Sequence, residues 1–310
     1  MKRSLLLLPL LAAFAVADEP SSNTFTIAAY NVENWLHMDR QGATNAPKPV
    51  AERDAVAKVL AGIHPDVLGV EEMGGTNDLA DFRARLKEHG LEFPHAEWLP
   101  AGDANRHVVL LSRYPITEHL SHTNLTYLLN GQPRPIERGI LDVRVQVATN
   151  YSFRALVVHL KSKRATDLGD QAYMRLEEAK LLHHQIDEIL RRAPHDNFIV
   201  MGDFNDTPGS APISELTTNT CHSLFVLHPR DSKGFDTTHF WRWQKDPTNR
   251  WSRIDYLMTS PGMSNEYVEG SAKINDPPGW LDASDHRAIS ARFHIGDRGT
   301  NLPGRVTGKQ

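Results

Sequence analysis

Several short apolar runs in this 310-residue chain stop abruptly at side chains that an apolar interior cannot hold unaided. The clearest is Phe198-Ile-Val-Met-Gly-Asp-Phe-Asn-Asp-Thr-Pro-Gly-Ser210, where a strand-like run meets Gly202, Asp203 and Asn205. The first run ends in Tyr30-Asn31-Val32-Glu33, another in Glu71-Glu72 and a third in His159-Leu160-Lys161-Ser162. Arg253-Ile254-Asp255-Tyr256 carries an acid within a strand, and Ser284-Asp285-His286 precedes the last strand. Burying an acid or an amide is costly unless it is hydrogen-bonded, paired or metal-bound. One such site is ordinary, because a turn Asp often caps its own loop. Six together point to one cause: strand ends that meet at one edge of a layered sheet structure.

Between these ends the chain interleaves strand and helix patterns. β-Branched and aromatic runs predict strands over 24–32, 67–70, 108–111, 140–147, 153–158, 197–201, 254–258 and 288–293. Ala148-Thr149-Asn150 reads as a hairpin loop between two of them. Val56, Val59, Leu60 and Ile63 predict a helix over 50–63, stopped by His64-Pro65. A second helix is predicted over 78–89, ending at Gly90. The longest covers 171–192, with Leu176, Ala179, Leu182, Ile186 and Ile189 as its apolar stripe. Helices mixed with hairpins imply mixed sheets covered by helices. A hydrophobic fraction of 40% suffices for one core, so residues 24–294 are expected to form a single domain.

The ends carry separate signals. Met1-Lys2-Arg3, the apolar stretch Ser4 to Val16 and the small-residue pattern Ala15-Val16-Ala17 read as a signal peptide, residues 1–17, removed before Asp18. The chain is therefore expected to be exported, to the periplasm or the medium. No later segment is apolar enough to span a bilayer. Residues 296–310 read as a flexible tail. Loss of Lys2 and Arg3 takes the formal charge from −4 to −6, which argues against a broad electrostatic grip on polyanions. Cys221 is the lone cysteine, so no internal disulfide can form. With no heptad or unpaired apolar stripe, a monomer is expected.

Carboxylates with amides suit a hard divalent cation such as Mg²⁺. Histidines and an Asn beside them suit a phosphoryl group that needs charge stabilisation and proton transfer. Here the ordered set Asn31-Val-Glu, Asp66-Val-Leu-Gly-Val-Glu-Glu72, Leu111-Ser-Arg-Tyr-Pro115, His159-Leu-Lys-Ser162, Gly202-Asp-Phe-Asn205, Arg253-Ile-Asp-Tyr256 and Ser284-Asp-His286 resembles the motifs of the endonuclease/exonuclease/phosphatase superfamily. The resemblance covers roughly residues 24 to 294. It implies an α/β fold of the DNase I-like kind, a four-layer αββα sandwich of two mixed β-sheets flanked by helices.

By the same resemblance, Glu72 matches a principal Mg²⁺ ligand, Asn31 helps hold the metal or its water, and Asp285 is a second acid near it. Mn²⁺ or Ca²⁺ could replace Mg²⁺. Asp203 matches the residue that orients or deprotonates the attacking water, and Asn205 a donor to a phosphate oxygen. His159 and His286 match the two histidines at the phosphate, with Asp255 pairing His286. Two departures stand out. Glu71 occupies a position where the family often has Gln. Asn105-Arg106-His107 stands where related nucleases have an acid that orients the first histidine, which leaves His159 without an assigned partner.

Arg138 resembles a phosphate-facing Arg of nucleases, and Lys161 and Lys163 could neutralise substrate phosphate. Phe240-Trp241-Arg242-Trp243 and Trp251 could stack on a base or another leaving group, Trp241 above all. Arg113 reads as structural, and His183-His184 as a solvated helix face. Trp251-Ser-Arg-Ile-Asp255 departs from the Trp-Cys-Asp-Arg pattern of inositol phosphatases. The expected function is an exported, Mg²⁺-dependent phosphodiesterase acting on DNA or RNA. The alternatives are a phospholipid, sphingomyelin or small phosphomonoester hydrolase with the same site, and a non-catalytic binding protein that keeps the fold.

Overall fold

Strand register is what brings the distant polar residues together. The structure, a computed structural model, describes residues 23–40, 42–218, 224–242 and 250–299. The expected signal segment 1–17, Cys221, Trp243 and the tail from 300 to 310 lie outside the described residues.

Two mixed six-stranded sheets form the centre. In the first, the strand order is Lys273–Ile274, Ile289–His294, Thr24–Trp35, Val67–Met73, His107–Ser112, His95–Trp98. In the second it is Phe225–Val226, Asp255–Thr259, Phe198–Asp203, Tyr151–His159, Leu141–Ala148, Ile116–His119. Each sheet has one parallel pair at its centre, Thr24–Trp35 beside Val67–Met73 and Tyr151–His159 beside Phe198–Asp203. Parallel neighbours need crossovers. The first is made by helix α1 (Val50–Ile63), and the second by helix α3 (Gln171–Arg192). Helix α2 (Thr76–Glu88) follows the first pair, α4 (Ala211–Thr217) follows the second, and the short α5 (Trp280–Ala283) packs on α1.

The alternation of side chains along each strand sorts the layers. Phe25, Ile27 and Ala29 face the other sheet, joining Phe153, Val157, Met201 and Leu257 in a core between the sheets. The intervening Ala28, Tyr30 and Val32 face outward onto Val56 and Leu60 of α1 and Phe82 and Leu86 of α2. On the far side, Leu156, Val158 and Val200 meet Ala179, Leu182 and Ile186 of α3 and Ile213 and Leu216 of α4. Each large side chain so buried contributes roughly 1.5–3 kcal/mol, so apolar burial dominates the adhesion of the layers. The result is the four-layer αββα sandwich that the motifs implied. Among the described residues no helix is long and apolar enough to cross a membrane.

Some local expectations are corrected. The strand read as 24–32 runs on to Trp35, through left-handed Glu33 and Asn34 (φ 47 and 59°). The hairpin loop shrinks to Thr149-Asn150, because Ala148 pairs with Tyr151. Leu176 is only half-buried; Met174 and Leu190 complete the stripe of α3, and the charged Arg175 and Glu178 are buried on it. His183 is not on a solvated face. Helix α4 covers it, placing its Nδ1 2.7 Å from Glu215, while Asp187 lies 3.3 Å from its Nε2. His184 is exposed, and Arg113 pairs with Asp66 at 3.1 Å in a structural contact. The beginning of the expected tail is tied down, since the backbone N–H of Arg298 donates to Glu266.

Candidate active site

Three adjacent strands of the second sheet carry chemistry at one end. His159 pairs in register with Asp203, and Asp203 with Asp255. Asp203 is buried at the hub. Its Oδ1 accepts the backbone N–H of Asn205 at 2.8 Å, and its Oδ2 accepts the amides of Asn31 at 3.2 Å and Asn205 at 3.3 Å. His159 Nε2 lies 3.5 Å from the same oxygen. Burial raises the Asp203 pKa, aided by Asp255 and Glu72; opposed by His286 and the Asn205 N–H, the net result is about 7. Gly202 makes this arrangement possible. Its φ is 127°, and a Cβ there would sit 2.1 Å from the Val158 carbonyl oxygen and 2.7 Å from Glu71 Oε1.

The turn before the last strand carries His286 onto this row. Its Nδ1 lies 3.0 Å from both carboxylate oxygens of Asp255, and its Nε2 lies 3.8 Å from Asp203. Burial opposes a charge on this ring, but Asp255 and Asp203 outweigh it and raise the His286 pKa well above the usual value. Asp255 is fixed from behind, because its own N–H and that of Ile254 both donate to Thr238 Oγ1. Asp285 was expected beside Asn31 and Glu72. Its carboxylate lies 3.9 Å from Nε2 of His286 and 3.7 Å from Nε2 of His239, a residue the sequence reading did not single out. Burial opposes the Asp285 charge, yet the two imidazoles and Arg242 hold its pKa down at about 2.

The first sheet supplies the oxygen donors. Asn31 pairs in register with Glu71, one residue before Glu72. Asn31 Oδ1 accepts the N–H of Glu33, and Glu72 Oε2 accepts the N–H of Asn34 at 3.0 Å. Glu33 in turn accepts the N–H of Asp285 at 3.0 Å, which ties the end of the first strand to the turn before the last strand, its neighbour in the same sheet. A carboxylate and an amide oxygen at adjoining strand ends fit a hard divalent cation by donor chemistry. Glu71 is different. It is fully buried against Gly202, and neither carboxylate oxygen has a hydrogen-bond partner. Burial, then Asp255 and Asp203, push its pKa far up, so it sits as a neutral acid of glutamine-like shape. Glu71→Gln is therefore expected to leave activity within about threefold of wild type and not lower the unfolding midpoint, a volume-conserving swap. A loss above tenfold in a steady-state assay would show that the carboxyl itself acts.

The other flank is cationic. His159 is buried, its Nδ1 has no hydrogen-bond partner, and burial followed by Arg138, His286, Arg106 and Lys161 drives its pKa well below the usual value. In place of the missing acid, Arg106 donates to Asn34 at 2.9 Å and lies 4.0 Å from Glu72. Arg138 is buried, with Nε 3.2 Å from Asp103, and Lys161 Nζ lies 3.5 Å from Glu137. Helix α3 anchors this flank. Glu178 accepts the N–H of Lys161 at 2.7 Å, and Arg175 donates to the Lys161 carbonyl at 2.9 Å and to Asp206 at 2.8 Å. Burial leads the forces that set the Glu178 pKa at about 7. Lys163 pairs with Asp206 at 2.9 Å. A signal for Arg175 and Glu178 was present: charged residues at helical spacing within an apolar stripe.

Asn205 is placed by these contacts as much as it could serve a phosphate, since its amide donates to the Leu160 carbonyl at 3.0 Å as well as to Asp203. Trp241 is exposed beside His239, their rings edge to face with centroids 6.3 Å apart. The site thus brings together His159, Asp203, Asn205, Asp255, His286, Asp285 and Asn31, with Glu72, Arg138 and Lys161 around them.

The model of the Endonuclease/Exonuclease/phosphatase family matches residues 30–286. A search of curated proteins finds no matching relative. Among solved structures, truncated Caenorhabditis elegans TDP2 is similar at TM-score 0.58 and 16% identity, covering 87% of this chain and 98% of that one. The human Nocturnin catalytic domain with bound sulfate gives 0.59 at 15% identity, covering 88% and 95%. Sphingomyelinase C from Streptomyces griseocarneus gives 0.59 at 16%, covering 87% and 99%. At these identities the likeness is one of fold.

Proposed function

This chain belongs to the endonuclease/exonuclease/phosphatase family, and from that footing we propose that it is an exported, Mg²⁺-dependent phosphodiesterase that hydrolyses nucleic acid by in-line attack of water. The observation that carries the reading is the single carboxylate of Asp203, approached by Asn31, Asn205, His159 and His286 at 3.2, 3.3, 3.5 and 3.8 Å. Asp203 orients the water and takes its proton as the water oxygen bonds to phosphorus, the opposite P–O ester bond breaks, and the departing oxygen takes a proton from solvent. His286, held in its charged form by Asp255, donates to a non-bridging phosphate oxygen as negative charge builds. His159, disfavoured as a cation by burial and then by its cationic neighbours, offers a hydrogen bond without adding charge.

Asn31 and Glu72 would hold the cation, whose charge supplies Lewis-acid stabilisation of the phosphoryl oxygens. Arg106, Arg138 and Lys161 bring three cations to the His159 flank, each beside a carboxylate, Glu72, Asp103 and Glu137 in turn. Trp241 offers a stacking surface at the rim for a base.

The test is a substrate panel with purified protein: plasmid DNA, RNA, bis-p-nitrophenyl phosphate, p-nitrophenyl phosphate and sphingomyelin, each with Mg²⁺, Mn²⁺, Ca²⁺ or EDTA. Diester and nucleic-acid cleavage abolished by EDTA is the expected result. Robust monoester or sphingomyelin cleavage without nuclease activity would replace the substrate assignment. No cleavage of any of the substrates would favour a binding protein.

A further inference from the structure

We infer that Lys48 and Arg40 are positioning residues for the cation site: they grip two successive carbonyls near the end of the first strand, and so aim its N–H groups at the oxygen donors. The inference rests on the phosphoesterase reading, in which Asn31 and Glu72 take the cation. The gripped segment is Glu33-Asn34, two consecutive left-handed residues with φ of 47 and 59°. Side chains other than glycine disfavour that conformation, and it persists only where surrounding contacts over-determine it. Lys48 Nζ donates to the Glu33 carbonyl at 3.0 Å, and Arg40 Nη2 donates to the Asn34 carbonyl at 2.6 Å. A trans peptide points its C=O and N–H in opposite directions. Holding the Glu33 carbonyl therefore aims the N–H of Asn34, which donates to Glu72 Oε2 at 3.0 Å. The N–H of Glu33 donates to Asn31 Oδ1 at 3.0 Å. Each donor is thus oriented by one hydrogen bond and keeps a lone pair for the cation, on Asn31 Oδ1 and on the other Glu72 oxygen.

The placement of Lys48 argues that it is there for this carbonyl. Its side chain is 1% exposed, and the acid beside it, Glu52 at 3.3 Å, is 41% exposed. A buried ammonium is costly without close partners, and a cation just before the first turn of α1 opposes the helix dipole. The fold tolerates both. Pro47 and Pro49 flank Lys48, and a residue before proline is held extended, so the segment that delivers the ammonium has little freedom. Arg40 ends the short strand Met38–Arg40 and also reaches the Leu36 carbonyl at 3.3 Å. The side chains of the gripped residues bind in turn to the rest of the site. Glu33 Oε2 accepts the N–H of Asp285 and Arg242 Nη2, at 3.0 and 3.1 Å, and Asn34 Oδ1 accepts Arg106 Nε at 2.9 Å. One strained segment therefore links the cation donors to Asp285 and to the His159 flank.

The experiment measures Mn²⁺ binding to purified protein stripped with EDTA, by titration calorimetry and electron paramagnetic resonance, with no substrate present. Loss of an ion in Glu72→Gln identifies the one that this site holds. Lys48→Met keeps the reach of the side chain and removes the ammonium. Lost charge and lost positioning then predict opposite signs. Removing a nearby cation should tighten Mn²⁺ binding. Releasing the gripped segment should weaken it, by about 10-fold, the lower end of the range for residues that orient metal ligands. Weakening is the expected result. Arg40→Met, at a half-buried side chain, should weaken the same ion, so the inference is testable even if Lys48→Met folds poorly in a thermal melt. A Glu72-dependent ion held as tightly as in wild type, or more tightly, by the folded variants overturns the inference and leaves the phosphodiesterase reading standing. A wild type with no Glu72-dependent ion overturns both. Because the readout is metal rather than turnover, an inactive protein whose ion weakens in these variants supports the inference and sinks only the hydrolase reading.

Discussion

Asp203→Asn is expected to cut phosphodiester hydrolysis by about 10²–10⁴-fold, the range for a positioned proton acceptor, with a far smaller effect on the stability of the fold. The two effects separate for a physical reason. Asn keeps an oxygen for the Asn205 N–H that now donates to Asp203 at 2.8 Å, though its NH₂ meets the side-chain amides of Asn31 and Asn205 that now donate to Oδ2. It removes a carboxylate that burial and its acidic neighbours already disfavour, so the folded state loses little by the change. What disappears is the capacity to accept a proton from water. The wild-type rate supplies an independent check. A general base works only when ionised, and Asp203 holds its proton up to about 7 in the cation-free protein. A cation bound nearby lowers that value, so the rate should fall with acidity at or below about pH 7. A folded Asp203→Asn protein with wild-type turnover, measured on bis-p-nitrophenyl phosphate, would remove Asp203 from the mechanism.

Most of what the hub needs was legible in the sequence, because each member sits where an apolar run stops. Register does the rest: His159, Asp203 and Asp255 face one another across three neighbouring strands, at one edge of the sheet. His239 was not legible. It lies in a two-residue strand within an aromatic loop, with no apolar run to mark it, and only the bridge to His286 reveals its place. Glu71 and Glu72 are adjacent acids in sequence, yet strand alternation sends Glu71 into the core and leaves Glu72 partly exposed. The partner of His159 stayed unassigned because the neighbours that set its charge, Arg106, Arg138 and Lys161, come from three separate segments. Arg175 and Glu178 were hidden differently. Periodicity identified the helix and its buried face, but hydropathy alone does not say that two charges on that face are satisfied by the turns at Lys161 and Asp206.

Asp231→Ala is expected to destabilise the protein by about 3–5 kcal/mol, the cost of leaving one partner of a buried ion pair behind. Arg287 and Asp231 are each only 4% exposed at the side chain, and Nη1 lies 2.7 Å from Oδ2. The guanidinium also lies against the rings of Trp251 and Trp280, 5.1 and 5.3 Å from their centroids, which limits its route to water. Thr237 accepts from Nη2 but brings no negative charge. Asp231 Oδ1 further accepts the N–H groups of Lys233 and Phe235, and Asp231→Asn, which keeps an acceptor without the charge, should cost less than Asp231→Ala. Burial raises the Asp231 pKa, but Arg287 and those two N–H groups outweigh it and depress the net value. A depressed carboxylate stabilises the fold above the ordinary aspartate value of about 3.9 and loses that contribution as pH falls through its folded value. The gap between wild type and Asp231→Ala in urea unfolding should therefore be full at pH 7 and narrow in strong acid. Arg287 follows His286 directly, and its N–H donates to the Thr238 carbonyl at 2.7 Å, so the variant should also lose turnover while folded. A loss of stability under about 1 kcal/mol at pH 7 would mean that water reaches Arg287 after all, and that the His286 turn is held by its backbone contacts alone.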